Sequence, residues 1–439
     1  MDPDLQVPRC YIDLLPDDVL DNIIKTIHSS INPSLKDLCT WSLVCRQWYR
    51  IGTPYLFRCV ALDFHGRNFA CPQLDADKFV MFLKEKPAIA DIIHQVKIHA
   101  ISVNLGKILG LLPCVRNITL LYLTLQEGSR SDKDGGGFKL PGRLHYDAPD
   151  RVGGMELLKV LALFSEIGLL RISGVPALSD KGLRLATETR MIKNLRLHAL
   201  VFDLSLEASH IRHLRLFREL GVLNRLTCLS VRYSWKFADE LKLLNDVLHS
   251  ASETLGEFYL DFLRYWRQAT FDSLSQAPPD QDQAVQALSS GLGACWSLHG
   301  FCFRVLNYTT MFEEDDPDIG RWLPLAPHSW LVANALIACM PAENLKYLGF
   351  RFWAGDIEID ENTSNISWAP LCDNCRRFTH LRSFQLLFRS LYSFFDEEPS
   401  WQKERVLREL AEFEHVLVFG RCKELLPCEE RNCLWSSKQ

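Results

Sequence analysis

The residues nearest to forming a metal centre are Cys372-x-x-Cys375, with His380 close behind and Cys422, Cys428 and Cys433 further on. A structural zinc needs tetrahedral thiolate or imidazole ligands, usually as two pairs at matched spacing, and no second pair stands near this one. The two cysteines therefore read as thiols on a helix, and no metal is expected. Glu207, His210 and His213 fall at i, i+3 and i+6 and share a face if that stretch is helical, but Ile211, Leu214 and Leu216 within it also read as a strand. Gly135-Gly136-Gly137 neither follows a strand nor opens a helix, and Gly291-x-Gly293 follows a helix, so neither is placed to cradle phosphate. G-x-S-x-G and H-E-x-x-H are both missing. No cofactor and no enzymatic activity are expected, the alternative being an α/β enzyme whose site lies at strand ends without a motif.

What remains is recognition chemistry, and its basis is a recurring pattern: apolar, two variable, apolar, one variable, apolar. Copies occur at Phe57/Val60/Leu62, Ile93/Val96/Ile98, Val115/Ile118/Leu120, Ile167/Leu170/Ile172, Ile192/Leu195/Leu197 and Ile211/Leu214/Leu216. Further copies are Leu226/Leu229/Val231, Leu255/Phe258/Leu260, Leu298/Phe301/Phe303, Leu345/Leu348/Phe350, Leu381/Phe384/Leu386 and Phe413/Val416/Val418. Helical stretches precede many of them, as at 237–250, 282–292 and 329–340. A strand fed by a helix, repeated, predicts parallel strands in an irregular, leucine-rich-repeat-like solenoid. Its spacings of 15 to 52 residues are less regular than the roughly 20–29 of ordinary leucine-rich repeats.

Residues between and just after the apolar anchors of such strands point away from the core. Lys97, Arg171, Arg196, Arg215, Arg232, Arg304 and Arg351 occupy these positions, interrupted by Glu257 and Asp261. Stacked in parallel they make either a set of solvated or mutually paired charges, or an inner face that accepts an acidic or phosphorylated segment of a substrate. In the second case Tyr259, Tyr347 and Trp353 are its aromatic anchors.

Composition agrees with a binding protein rather than a nucleic-acid or membrane protein. Apolar residues make up 47% of 439, and the net charge is −5, without the basic excess that nucleic-acid binding asks for. The chain shows neither a signal peptide nor an apolar run of the roughly 20 residues needed to span a bilayer. Its fifteen cysteines read as reduced thiols, and a cytoplasmic or nuclear location is expected. Gln126–Gly154, with its three glycines, reads as a flexible surface loop inserted in the solenoid; Thr309–Gly320 and Gly355–Asn365 read as solvated acidic loops, and Ser436–Gln439 as a fraying end.

The first part of the chain is different in kind. Pro16-Asp17-Asp18 suits a helix start, where proline loses no bond and acids meet the positive end of the dipole. Val19, Ile23 and Ile27 form a stripe along that helix. Ser34 with Asp37 resembles a capping box for a second, faced by Leu35 and Leu38, and Val44, Trp48 and Ile51 mark a third that ends at Gly52-Thr53-Pro54. Three helices in so short a stretch must lean on something else to bury their surface. Leu15-Pro16-Asp17-Asp18-Val19-Leu20, then Ile23, then Leu43-Val44-Cys45-Arg46-Gln47-Trp48 resembles the F-box pattern, and Pro54–Arg58 resembles its exit into a first strand. The connector Ser29–Ser34 is longer than the family's. The second part resembles the C-terminal region of many fungal F-box proteins.

The resemblance implies a three-helix F-box at 9–56 and an α/β solenoid at 57–439. It implies docking on the Skp adaptor, and through it on a cullin, with Leu15, Pro16, Val19, Ile23, Val44 and Trp48 as contacts; Trp48 serves equally well as core. The solenoid would hold a protein substrate for ubiquitination, the alternative being an F-box scaffold outside any ligase.

Overall fold

A computed structural model describes residues 16–29, 46–63, 72–99, 103–121, 123, 125, 137–147, 154–174, 178–205, 208–234, 238–266, 281–309, 327–353, 368–389 and 407–421. The chain forms two compact units, Met1–Ala148 and Pro149–Gln439. Expected features outside the described residues are Leu15, Val44, the helix opened at Ser34, the triple glycine's Gly135 and Gly136, Glu207, residues 310–320 and 355–365, and Cys422, Cys428, Cys433 and the last four residues.

The first unit opens with helices α1 (Asp17–Ser29) and α2 (Arg46–Phe57). Asp17 and Asp18 sit in the first turn of α1, as the dipole favours. The buried residues of this pair are Leu20, Ile24 and Trp48, with Ile23, Ile51, Tyr55 and Leu56 packed around them. The apolar stripe on α1 thus lies one residue further round than Val19/Ile23/Ile27 suggested, and Val19 is left 38% exposed. Helix α2 also runs past its expected stop. Pro54 is exposed, Thr53 donates to the Tyr49 carbonyl, and the Arg58 amide closes the last turn on the Pro54 carbonyl.

Four strands follow, β1 (Cys59–Asp63), β2 (Gln95–His99), β3 (Asn117–Leu121) and β4 (Phe138–Asp147), neighbours in that order and parallel. Between them lie α3 (Pro72–Glu85), α4 (Pro87–Ala90) and α5 (Leu105–Leu109). Strand β4 corrects the expectation of a loop over 126–154. Pro141 precedes the residues that pair with β3, which begin at Arg143, so its missing amide costs no bond in the β3 ladder. At Gly142 a Cβ would lie 2.1 Å from the Arg116 carbonyl oxygen, so only glycine fits.

The second unit alternates helix and strand: α6 (Met155–Leu161), β5 (Phe164–Ser173), α7 (Asp180–Thr189), β6 (Arg196–Ser205), α8 (Ala208–Glu219), β7 (Cys228–Ser234), α9 (Ala238–Ser250) and β8 (Glu257–Trp266). It continues through α10 (Gln281–Ala294), β9 (Gly300–Thr309), α11 (Pro327–Cys339), β10 (Tyr347–Trp353), α12 (Ala369–Cys375), β11 (Ser383–Arg389) and β12 (Leu417–Arg421). Neighbours in sequence are neighbours in space, and every described pairing is parallel, a solenoid-like α/β arrangement.

Register shows what the apolar pattern encodes. Leu170, Leu200, Leu229 and Phe258 align across β5 to β8, and Phe301, Leu348 and Phe384 continue the row. Each of these side chains is at most 1% exposed. Three copies of the pattern fall elsewhere than expected. Ile211/Leu214/Leu216 belongs to α8, where Leu214, Leu216 and Phe217 face the core. In β6 the aligned pair is Leu200/Phe202, in a triplet that starts at Leu197 rather than ending there. In β12 it is Leu417/Phe419 rather than Val416/Val418.

Candidate functional site

The helical pair of the first unit is joined by polar contacts as well as by its small core. The Asp17 carboxylate accepts from Arg50 and, at 2.7 Å, from the Gln47 amide. Tyr55 donates its hydroxyl to Asp21 at 2.5 Å, and Lys25 pairs with the same carboxylate at 2.6 Å. Bonds from Lys25 and Tyr55 hold Asp21 below the usual carboxylate range. Burial, reinforced by the bond to Asp21, pushes the Tyr55 phenol up to about 12. Asp17, Asp18, Asp21, Tyr55, Arg58 and His94 line a cleft of about 600 Å³ together with Ile51, Pro54 and Ile92.

Of the residues expected to meet an adaptor, Pro16 and Val19 are exposed and Ile23 is half-buried. Trp48 is 7% exposed and belongs to the core, because it fills the space beside Leu20 and Ile24. Sequence reading missed Tyr49, which is 53% exposed. Val19 and Tyr49 are thus the exposed large apolar side chains described on this helical pair.

Among the described side chains of the second unit, the expected arginines and tyrosines do not all lie on one open surface. Tyr259 is buried with Ala199, Cys228 and Cys302, against which Leu169 packs. Arg351 is also buried, although the strand alternation puts both on the face away from the aligned core row. Around Tyr259 that face is filled by the small side chains of Ala199, Cys228 and Cys302 from β6, β7 and β9. Arg215 is exposed, but on α8 and not on a strand. Arg196 is exposed at the start of β6, and Tyr347 is half-buried with its ring edge-on to His299. Arg171 is half-buried on β5. Arg232, Arg304 and Trp353 lie on β7, β9 and β10, with side chains outside the described set. Backbone register nonetheless places Arg232, Asp261, Arg304 and Arg351 in one row across four strands.

Burial accounts for Cys372, Cys375 and His213 among the described groups singled out for chemistry. Cys372 and Cys375 lie on α12, both buried; burial pushes Cys372 up to about 11 and Cys375 higher still. His380 is exposed. His213 is buried, with its ring Nε2 3.2 Å from the Gly154 carbonyl oxygen, so it serves the core. Gly291 lies inside α10, where its amide donates to Asn245. Among the described residues no group of three or more histidines, cysteines or carboxylates could hold a metal ion. No described helix is long and apolar enough to cross a membrane. Comparison with protein-family models and with curated proteins finds no match to this chain.

Proposed function

We propose that the chain is an F-box-type adaptor, whose N-terminal helices engage the Skp adaptor and whose helix–strand region captures a protein for a cullin-based ligase. The observation that carries this reading is the helical pair α1/α2. It carries the F-box-like residues, has its own core at Leu20, Ile24 and Trp48, and leaves apolar Val19 and Tyr49 to solvent. Helices with an interior this small and apolar groups outside suit a groove on a partner. Such a receptor contributes by holding its target near the transferring enzyme, so it needs no catalytic side chain of its own.

The test is capture of purified Skp adaptor by the full chain. Val19→Asp with Tyr49→Ala should weaken capture about tenfold or more while leaving the thermal midpoint unchanged, since neither residue supports the core. Met81→Asp, at another exposed apolar site of the first unit, should leave capture intact. Unchanged binding by the double variant would overturn the reading. With purified cullin added to the same capture, recovery of adaptor without cullin would favour a scaffold outside the ligase.

A further inference from the structure

The helix-to-strand turns of the second unit carry cations that its helices do not neutralise. Some cations near the helices find carboxylates: Arg212 pairs with Asp180, Arg218 with Asp246, and Arg376, capping α12, with Asp373 and Glu412, whereas exposed Arg184 on α7 and Arg215 on α8 join no described carboxylate. In the turns, Arg377 is engaged by the carbonyl groups of Ala338 and Met340, at the end of α11. No side-chain hydrogen bond or ion pair joins Lys193, Arg196, Arg225, Lys346 or Arg382 to any described residue.

Register gathers these five into two groups along one rim, where the strands begin. Arg196 and Arg225 each stand three residues before the aligned pair Ala199 and Cys228, and Lys193 sits in the turn leading to β6. On the far side, the Lys346 amide bonds the His299 carbonyl at 2.9 Å and the Arg382 amide bonds the Lys346 carbonyl at 2.8 Å. The two cations therefore stand on neighbouring strands. Between the groups lies the turn before β9, with Trp296 58% exposed, the largest fraction among the exposed large apolar side chains described. Asn344, from the turn before β10, donates to the Trp296 carbonyl at 2.6 Å and ties that turn to its neighbour.

We propose that this rim is the docking surface for an acidic segment of another protein, with carboxylates at both ends and an apolar residue between them. The arginines and lysine at either end take the carboxylates, and Trp296 takes the apolar residue. From β6 to β11 the rim spans five strand spacings, roughly 24 Å, which an extended peptide covers in about seven residues. Exposed Glu253 and Glu343 stand in the turns among the cations, and the chain carries a net charge of −5. Both oppose a continuous phosphate backbone, whereas a peptide can place its charges where the cations are. The proposal deepens the adaptor reading and rests on it for what the captured segment would belong to.

The experiment is fluorescence anisotropy with the full chain and no Skp adaptor, so its outcome is independent of adaptor docking. The probe is a labelled peptide of about nine residues with two acidic residues at each end and a central leucine. Arg196→Glu with Arg225→Glu, and separately Lys346→Glu with Arg382→Glu, should each weaken binding about tenfold. Trp296→Ala should weaken it as well, and Lys181→Glu with Arg184→Glu, exposed on α7, should not. Where a glutamate variant melts early, the glutamine version is measured in its place. The proposal is overturned if the probe does not bind, if its glutamine counterpart binds equally, if the α7 variant loses as much, or if a single-stranded RNA of similar length binds more tightly.

Discussion

Desolvation decides what the cysteines do. The Cys295 thiol donates to the Gly291 carbonyl at 3.1 Å, and burial pushes it up to about 12. Cys372 stands at about 11, and Cys375 above it. In the unfolded chain such thiols ionise near 9.0. A folded value raised above the unfolded one means that the neutral thiol is favoured by folding. That stability is fully present below pH 9 and is lost as pH rises through the folded values. The urea midpoint should therefore fall as pH rises from about 9 to about 10.5, and fall less in Cys295→Ala with Cys375→Ala. The same burial predicts that native alkylation, read by peptide mass spectrometry, reaches exposed Cys59 and Cys114 well before Cys295 or Cys375.

At the scale of elements, the approach of α10 to α9 turns on one glycine. A Cβ at Gly291 would lie 2.6 Å from the Asn245 side-chain oxygen and 2.9 Å from the Leu248 Cβ. Gly291→Ala should cost about 1–3 kcal/mol by forcing the helices apart, outweighing the roughly 1 kcal/mol that alanine gains in helix propensity. Gly293→Ala is the contrast: its Cβ meets nothing nearer than the Cys339 carbonyl at 3.4 Å, so it should be neutral or stabilising. Denaturant unfolding of the two variants side by side checks the pair. Most strands were legible because Leu229/Val231 or Phe258/Leu260 put large apolar groups at one spacing before a turn. Ile211/Leu214/Leu216 misled because the strand spacing occurs there by coincidence; the residues α8 buries are His213, Leu214, Leu216 and Phe217, a broad helical face that leaves Ile211 half-buried. Strand β4 was hidden by Pro141 and Gly142, although Leu140, Leu144 and Tyr146 keep the period of two. The open-face residues were placed on the correct side of β8 and β10. What sequence could not convey is that small neighbours such as Ala199 and Cys302 close that side around Tyr259. The rim cations were likewise invisible as a group, since only register brings Lys346 beside Arg382.

Across the second unit, stability should be graded rather than uniform, because a repeating helix–strand chain gains it from each neighbour in turn. Strands β8 and β9 pair over ten residues, from Glu257–Gly300 to Trp266–Thr309, and each also pairs with a strand on its other side. Helices α9, α10 and α11 precede these strands and β10, bringing Leu244, Leu248, Leu292, Leu336 and Ile337 to the core, each at most 1% exposed. Strand β12 pairs with β11 over five residues, with Leu417 and Val418 half-buried. An amide exchanges by the cheapest opening that frees it, and less is lost by releasing β12 than by releasing β9. Native-state hydrogen exchange should therefore find β12 amides fastest, β8 and β9 slowest, and β10 and β11 between. Phe301→Ala, at a fully buried site of β9, should cost about 3–5 kcal/mol and speed exchange at β8 and β9 while leaving β12 nearly unchanged. Equal protection on β9 and β12, or equal acceleration of both by the substitution, would mean that the second unit opens only as a whole, and the graded account would have to be abandoned.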